Sequence, residues 1–187
     1  AEPVADFIDL ALIGEGEDLL PELVDLYRRA KQEKWDKPRF LRAAAKIQGV
    51  YVPSLYNVSY CEDGTIAAIT PRDGAPEKVV KRVVHDMNKS YYPAKTIVPS
   101  TEIVHDRVTL EVFRGCIRGC RFCQAGYVYR PVRCRSREQL AEYAKAAVQD
   151  SGYQEMTLSS LSTSDYPELV GLCDDLEAFC GEKHVNL

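Results

Sequence analysis

The sequence predicts an α/β fold: the N-terminal piece of a parallel βα barrel, preceded by a βα unit and a connector with a β-hairpin. Three observations predict it. Strand-like and helix-like segments alternate from residue 107 onward, an Asp63-Gly64 pair separates two strand-like runs, and an apolar run at 7–13 precedes an amphipathic helix. Alternation of this kind is typical of parallel strands joined by right-handed crossovers.

The composition is that of a folded globular protein, because 45% of the 187 residues are hydrophobic and 28% are charged. The net charge of −4 gives no overall attraction to nucleic acid or to a membrane. The sequence shows no apolar run of about 18 residues, so we expect no membrane span. It also shows no secretion leader, so we expect no secretion. Seven cysteines, an odd number, favour a reducing compartment, so we expect a cytoplasmic protein. The missing initial Met and the apolar strand that begins at the last residues predict a piece of a longer protein.

Residues 1–35 are predicted to form one βα unit. "FIDLALI" at 7–13 is the strand, "GEGE" is a tight turn, and the segment that follows has apolar residues at helical spacing. Residues 36–106 are predicted to be a connector that contains the hairpin. Within it, residues 77–92 predict a short helix that Pro93 ends.

From residue 107 the elements follow one another regularly. "RVTLEVF" is a strand, and Ser136 with Gln139 forms a capping box at the start of the next helix. A second strand, a second helix and the start of a third strand, "HVNL", follow it. The predicted ranges are 107–113 and 155–161 for the strands and 137–149 and 166–180 for the helices.

The loop "RGCIRGCRFCQAG" directly after the first of these strands carries Cys116, Cys120 and Cys123 in the pattern C-x3-C-x2-C. In parallel βα barrels, functional sites are built from the loops at this end of the strands. Three thiols cannot all pair in disulfides, and structural zinc needs four ligands, the fourth of which Cys134 or His105 would supply. An iron–sulfur cluster held by three thiolates keeps one iron open for another ligand. From spacing alone, zinc, a cluster and coincidence stay open.

C-x3-C-x-aromatic-C, with Phe122 as the aromatic residue, resembles the signature of radical S-adenosylmethionine (radical SAM) enzymes. The stretch "RVTLEVFRGCIRGCRFCQAGYVYRPVRCRS" is similar to the subgroup with an N-terminal cobalamin-binding-type domain, and "FIDLALIGEGEDLLPELV" resembles the last βα unit of that domain. The resemblance is strongest over 107–137 and extends to 7–30 and 155–187. Cys134 departs from the pattern, in which an acidic or polar residue is expected.

The resemblance implies three parts of the chain. Residues 1–35 are expected to be the last βα unit of an upstream Rossmann-like, cobalamin-binding-type domain, and residues 36–106 the connector. Residues 107–187 are expected to be a truncated radical SAM barrel of the TIM type, with its first two βα units and the start of the third strand.

The resemblance also implies the chemistry of the loop. The thiolates of Cys116, Cys120 and Cys123 are expected to bind a 4Fe-4S cluster whose open iron chelates S-adenosylmethionine. Reductive cleavage of that molecule gives a 5′-deoxyadenosyl radical, which acts on a substrate that the sequence does not identify. An electron donor of the flavodoxin or ferredoxin type is an implied partner, and cobalamin is a candidate cofactor.

Further side chains are expected to contact S-adenosylmethionine. Phe122 would pack beside the cluster and present its backbone to the adenine. Ser159, Ser160 and Ser162, after the second barrel strand, are candidates for the methionyl amino group. Their alternative role is loop and helix-cap hydrogen bonding ahead of the last helix.

Two other functions stay open. The first is a non-catalytic module, either a 4Fe-4S electron carrier or a zinc site, closed by Cys134. The second is an RNA-binding or RNA-modifying fragment that uses an arginine run with Tyr127 and Tyr129 interleaved. The same arginines also fit a local role beside anionic thiolates or an ordinary solvated face. They are Arg114, Arg118, Arg121, Arg130, Arg133, Arg135 and Arg137.

Overall fold

The computed structural model describes residues 2–93, 95–101 and 103–187, and the backbone forms two units, Ala1–Val84 and His85–Leu187. Each unit buries its own cluster of apolar side chains. Among the described residues, no helix combines the length and the apolar character that crossing a membrane requires. The parallel part of the fold lies in the second unit.

The first unit begins with a 3₁₀ helix at Glu2–Phe7, and the predicted strand at 7–13 is shortened to two residues. β1 (Ala11–Leu12) and β2 (Val50–Tyr51) pair in antiparallel register. The elements of this unit are β1 (Ala11–Leu12), α1 (Gly16–Gln32), α2 (Lys37–Ala44), β2 (Val50–Tyr51), β3 (Tyr56–Tyr60) and β4 (Ile66–Pro71).

Helix α1 follows from its apolar spacing and its charged ends. Glu17 and Asp18 lie in its first turn, and Arg29 and Lys31 lie in its last. Both placements favour the helix dipole. The helix buries Leu19 completely, and this side chain joins the core of the first unit. The predicted helix after the first strand is therefore confirmed.

The hairpin predicted around Asp63-Gly64 is also confirmed. β3 and β4 pair in antiparallel register. The Asp63 carboxylate accepts hydrogen bonds from the backbone N–H of Thr65 at 2.9 Å and from its hydroxyl at 2.7 Å. Gly64 adopts a φ of 81°, which the turn requires and which glycine adopts without steric strain.

The helix predicted for residues 77–92 is wrong, because the described chain contains no helix there. Instead, the backbone N–H of Arg82 donates to the Ile13 carbonyl at 2.9 Å, and that of Glu15 donates to the Arg82 carbonyl at 3.0 Å. The segment is rich in valine, whose branched side chain favours extended backbone. Hydrogen bonds to a distant part of the chain therefore override the local helical pattern.

The second unit contains the alternating elements. Strands β5 (Val108–Glu111) and β8 (Met156–Ser159) pair in parallel register, from Val108 opposite Met156 to Glu111 opposite Ser159. Asn186 bridges Glu155 in parallel, which is the predicted start of a third strand. The elements are β5 (Val108–Glu111), β6 (Phe113–Arg114), α3 (Ala125–Val128), β7 (Arg133–Cys134), α4 (Arg137–Ser151), β8 (Met156–Ser159) and α5 (Leu169–Lys183).

Helix α4 connects the two parallel strands, and local signals fix both of its ends. The Ser136 hydroxyl accepts a hydrogen bond from the Gln139 N–H at 3.3 Å, as the capping box predicts. Gly152 ends the helix in the left-handed conformation with φ of 72°. Leu140 and Leu110 are fully buried, so the helix packs its apolar face on the sheet. The α/β fold with parallel strands is confirmed.

Candidate functional site

The loop with the three cysteines lies in the second unit and connects two short strands, β6 and β7. β6 and β7 pair in antiparallel register, with Phe113 opposite Cys134. Gly115, at the start of the loop, has a φ of 93°, and a Cβ there would lie 2.7 Å from the Pro131 carbonyl oxygen. Only glycine fits this close approach of backbone. The two strands and Gly115 bring the ends of the loop close together, and we call these residues the neck. We call residues 115–124 the cysteine loop.

Within the cysteine loop, Cys116 and Cys123 are partly buried and Cys120 is exposed, and none forms a disulfide. The Cys123 N–H donates to the Cys120 carbonyl at 3.0 Å. The Arg118 N–H approaches the Cys116 Sγ at 3.5 Å. The three thiols share one turn-rich loop, and their donor chemistry fits an iron–sulfur cluster, which is bound by cysteine thiolates.

The thiols are not gathered around one point. In the part of the chain that the structure describes, no group of three or more His, Cys, Asp or Glu side chains is close enough to hold a metal ion. Phe122, between the second and third cysteine, exposes 89% of its surface. The structure therefore brings these four residues into one loop, in which Cys120 and Phe122 are exposed and Cys116 and Cys123 are partly buried.

The serines lie at the neighbouring strand end. Ser159 is the last residue of β8, and its carbonyl accepts the Val112 N–H at 3.0 Å. The Ser160 hydroxyl is 2.8 Å from the Thr163 hydroxyl, and the Ser162 hydroxyl donates to the Asp165 carboxylate at 2.6 Å. Ser160 and Ser162 thus make the local hydrogen bonds of a serine-rich turn. We call residues 159–165 the serine loop.

One ion pair joins the two loops. The Arg118 Nε donates to Asp165 Oδ2 at 2.8 Å, and its Nη2 donates to Oδ1 at 2.5 Å. Arg118 holds the pKa of the Asp165 carboxyl below its usual range, with a further contribution from Ser162. The sequence indicated no partner for either charge. The available signal for this pair was that both charges follow parallel strands, because the ends of such strands share one edge of the sheet.

A second charged group lies at the base of the cysteine loop. Glu111, the last residue of β5, accepts two hydrogen bonds from Arg114, at 2.8 and 2.9 Å. The Arg135 Nη2 is 3.7 Å from the same carboxylate, and the Arg135 Nη1 donates to the Met87 carbonyl. Sequence reasoning did not identify Glu111, although an acidic residue at a strand end was visible.

Most of the seven arginines contact partners inside the second unit. Pairing with a carboxylate offsets the positive charge of Arg114, Arg118 and Arg137, so a nucleic-acid partner is not supported. The partners are Glu111 for Arg114, Asp165 for Arg118, the Tyr127 ring for Arg130, the Pro131 carbonyl for Arg133, the Met87 carbonyl for Arg135 and Asp175 for Arg137.

Cys134 lies in a different environment from the other three thiols. It is in β7 and packs partly buried against the hydrophobic core of the second unit. Burial raises the pKa of this thiol, and the charge of Glu168 raises it further. A thiolate, which is the form that binds metal, is therefore disfavoured at this position.

Tyr166 provides a test of this buried region by pH. Its hydroxyl donates to the Arg135 carbonyl at 2.9 Å, and burial, with a further contribution from the charge of Glu168, raises its pKa from 10.0 to about 12. The folded state therefore holds this proton more tightly than the unfolded state. The stabilisation is complete below the unfolded pKa and is lost as the pH rises through the folded one.

We expect the melting temperature of the chain to fall more steeply between those two pKa values than that of the Tyr166→Phe variant. Thermal melts at increasing alkaline pH measure the two slopes, and the comparison removes the contribution of the other tyrosines. Equal slopes would show that Tyr166 ionises as easily in the folded as in the unfolded state.

Two family models match the chain. Residues 1–53 match the model described as "Radical SAM proteins, N-terminal", and residues 110–187 match "Radical SAM superfamily". "Uncharacterized protein MJ0966" of Methanocaldococcus jannaschii is 27% identical over 178 residues, which cover 94% of this chain and 32% of that protein. The chain thus spans about a third of the length of this relative. No solved structure matches the chain. The second family match contains both the cysteine loop and the serine loop.

Proposed function

The chain belongs to the radical SAM superfamily, and on that premise we propose that Cys116, Cys120 and Cys123 bind a 4Fe-4S cluster with one iron open to S-adenosylmethionine. When bound and reduced, such a cluster supplies the electron that cleaves S-adenosylmethionine to methionine and a 5′-deoxyadenosyl radical. The protein contributes binding, orientation and electrostatics.

The observation that carries the proposal is the position of three cysteines, free of disulfides, in one loop at the carboxyl end of a parallel strand. Three thiolates give a cluster one ligand fewer than its iron atoms, so one iron keeps a position for another molecule. Loops at this end of the strands form the functional sites of parallel βα barrels. Both the ligand number and the location therefore support a site that binds a cofactor and a second molecule together.

Nearby side chains suit the two ends of S-adenosylmethionine. Ser159 ends the strand beside the cysteine loop, and the hydroxyl groups of Ser160 and Ser162, which bond Thr163 and Asp165, keep acceptor lone pairs for an amino group. We propose that this loop binds the methionyl amino group. The exposed ring of Phe122 is available to pack beside the cluster, with its backbone toward the adenine.

The charges of the cysteine loop support the same chemistry. Arg118 lies between the first two cysteines. Its main partner Asp165 raises the pKa of its guanidinium, and Cys116 and Cys120 raise it further. Arg121, between Cys120 and Phe122, is exposed. Positive charge near thiols favours the thiolate form that binds metal. We propose that these arginines stabilise the anionic thiolates and the carboxylate of the bound molecule.

A module closed by Cys134 as fourth ligand is the competing function, for either iron–sulfur or zinc. The burial of Cys134 and the raised pKa of its thiol disfavour this alternative.

An electron donor of the flavodoxin or ferredoxin type remains an expected partner of the proposed enzyme. Cobalamin use, and the assignment of residues 1–35 to a cobalamin-binding-type domain, stay predictions.

The proposal is tested on the full chain by anaerobic reconstitution with iron and sulfide. We expect the EPR spectrum of the reduced cluster to change when S-adenosylmethionine is added, because the molecule occupies the open iron. Methionine added alone, without the adenosyl group, is the matched control. A cluster whose spectrum does not respond to S-adenosylmethionine would instead favour a closed electron carrier.

A further inference from the structure

We infer that the ion pair between Arg118 and Asp165 is a clasp that holds the cysteine loop against the serine loop before any cofactor binds. Arg118 and Asp165 are then positioning residues for the proposed cofactor site, and they act through the loops that they join. The inference rests on the proposed function only for the identity of what the loops bind.

The geometry of the pair is that of a strong, directional contact. Two parallel N–H···O bonds, at 2.8 and 2.5 Å, connect the guanidinium of Arg118 to the carboxylate of Asp165 across 47 residues of sequence. A fork of this kind fixes orientation as well as distance. It connects loops that follow two adjacent parallel strands, β5 and β8.

The two partners have different roles. The Asp165 side chain is only 13% exposed, whereas that of Arg118 is 58% exposed. Asp165 is also held by the Ser162 hydroxyl at 2.6 Å, and its own N–H donates to the Ser162 carbonyl at 2.8 Å. Asp165 is therefore held in place within the serine loop, and the more exposed Arg118 side chain extends from the cysteine loop to contact it.

The position of Arg118 in the chain explains why its contact with Asp165 affects the cysteines. Arg118 stands midway between Cys116 and Cys120 in the chain, so fixing its guanidinium restricts the backbone on both sides. A flexible loop loses conformational entropy when it closes around a ligand, and a loop that is already restrained loses less. The clasp therefore prepares the cysteine loop for cluster binding.

The chain offers a matched control for this pair. Arg137 and Asp175 also form two parallel hydrogen bonds, at 2.5 and 2.7 Å. Their side chains are on helices α4 and α5 rather than on either loop. Asp175→Asn removes the same type of contact from the same unit, so it reports what the loss of an ion pair does without affecting the clasp.

The first measurement is hydrogen–deuterium exchange in the full chain without cofactor. In Asp165→Asn, we expect the amides of the two loops, including Cys123 and residue 165, to exchange roughly fivefold faster or more than in the parent chain. Asp175→Asn should leave these loop amides unchanged. Exchange in the loops that is equal in Asp165→Asn and in the parent chain would overturn the clasp.

The second measurement is the retention of iron by the reconstituted chain during a challenge with a chelator. We expect Asp165→Asn to lose iron faster than both the parent chain and Asp175→Asn, with Arg118→Lys between them because it keeps the charge and loses the fork. Arg118→Gln, on the exposed side of the pair, replaces Asp165→Asn if that variant does not fold.

The two measurements separate the clasp from the proposed function. If the parent chain takes up no cluster, the proposed function fails, and the exchange experiment still decides the clasp. If the parent chain binds a cluster and Asp165→Asn matches it in both exchange and iron retention, the clasp is overturned and the proposed function stands.

Discussion

Replacing Cys116, Cys120 or Cys123 with alanine is expected to abolish cluster incorporation, and each single variant should be as severe as the triple variant. A cluster that has only three protein ligands has no spare thiolate when one is removed. Iron and sulfide content after anaerobic reconstitution should fall from a full cluster to background, at least about tenfold.

Two cysteine variants are the controls for this experiment. Cys61 is exposed in the hairpin of the first unit, and Cys134 packs against the core of the second. We expect Cys61→Ala and Cys134→Ala to keep the full iron content. Loss of the cluster in Cys134→Ala would contradict the three-ligand site and favour a site closed by four thiolates.

The elements that the sequence predicted correctly are those with local signals. The Ser136 cap and the left-handed Gly152 mark the two ends of α4 within a few residues of its apolar pattern. The Asp63-Gly64 turn fixes the hairpin in the same way. In each case the interaction that forms the element joins residues close in sequence, so a short window contains the necessary information.

The elements that the sequence did not predict depend on distant partners. Residues 77–92 form no helix, and Arg82 within them bonds the backbone around Gly14, a contact that nothing in their own pattern indicates. β6 and β7 have two residues each, which is too short for an alternating pattern to be recognised. The neck of the cysteine loop was therefore not predicted.

The candidate site shows the same division. The spacing of Cys116, Cys120 and Cys123 identified the loop, because ligands of one cluster that lie close in sequence leave a pattern. The pairs of Arg118 with Asp165 and of Arg135 with Glu111 join residues far apart in sequence. No spacing rule connects such charges, so the sequence indicated a basic run and left its partners open.

Arg135 gives the second large expected effect. Only 2% of its surface is exposed, and its guanidinium lies 5.5 and 5.7 Å from the rings of Tyr92 and Tyr143, which stack 4.3 Å apart. We expect Arg135→Ala to lower the free energy of unfolding by about 3 kcal/mol, since it removes a large buried side chain and leaves a cavity. Denaturant unfolding followed by circular dichroism measures this change.

Arg135→Met separates packing from charge. The Arg135 Nε has no hydrogen-bond partner among the described residues, and the nearest carboxylate, Glu111, keeps its two bonds to Arg114 without it. Replacing a buried, incompletely paired charge with an apolar side chain of similar length is often tolerated. We therefore expect Arg135→Met to cost about 1 kcal/mol or less, because methionine refills the space beside the two stacked rings.

The exposed Arg121 provides the baseline, and Arg121→Ala should change the free energy of unfolding by less than about 0.5 kcal/mol. A loss in Arg135→Met as large as that in Arg135→Ala would mean that the charge, through Met87 and Glu111, stabilises the fold more than the packing does. In that case the buried guanidinium would be an electrostatic support of the strand end from which the cysteine loop begins. A free energy of unfolding that is much lower in Arg135→Ala than in Arg135→Met would instead show that the Arg135 side chain acts by packing. Its backbone, which is bonded to Val112 and Tyr166, then holds the neck of the cysteine loop closed.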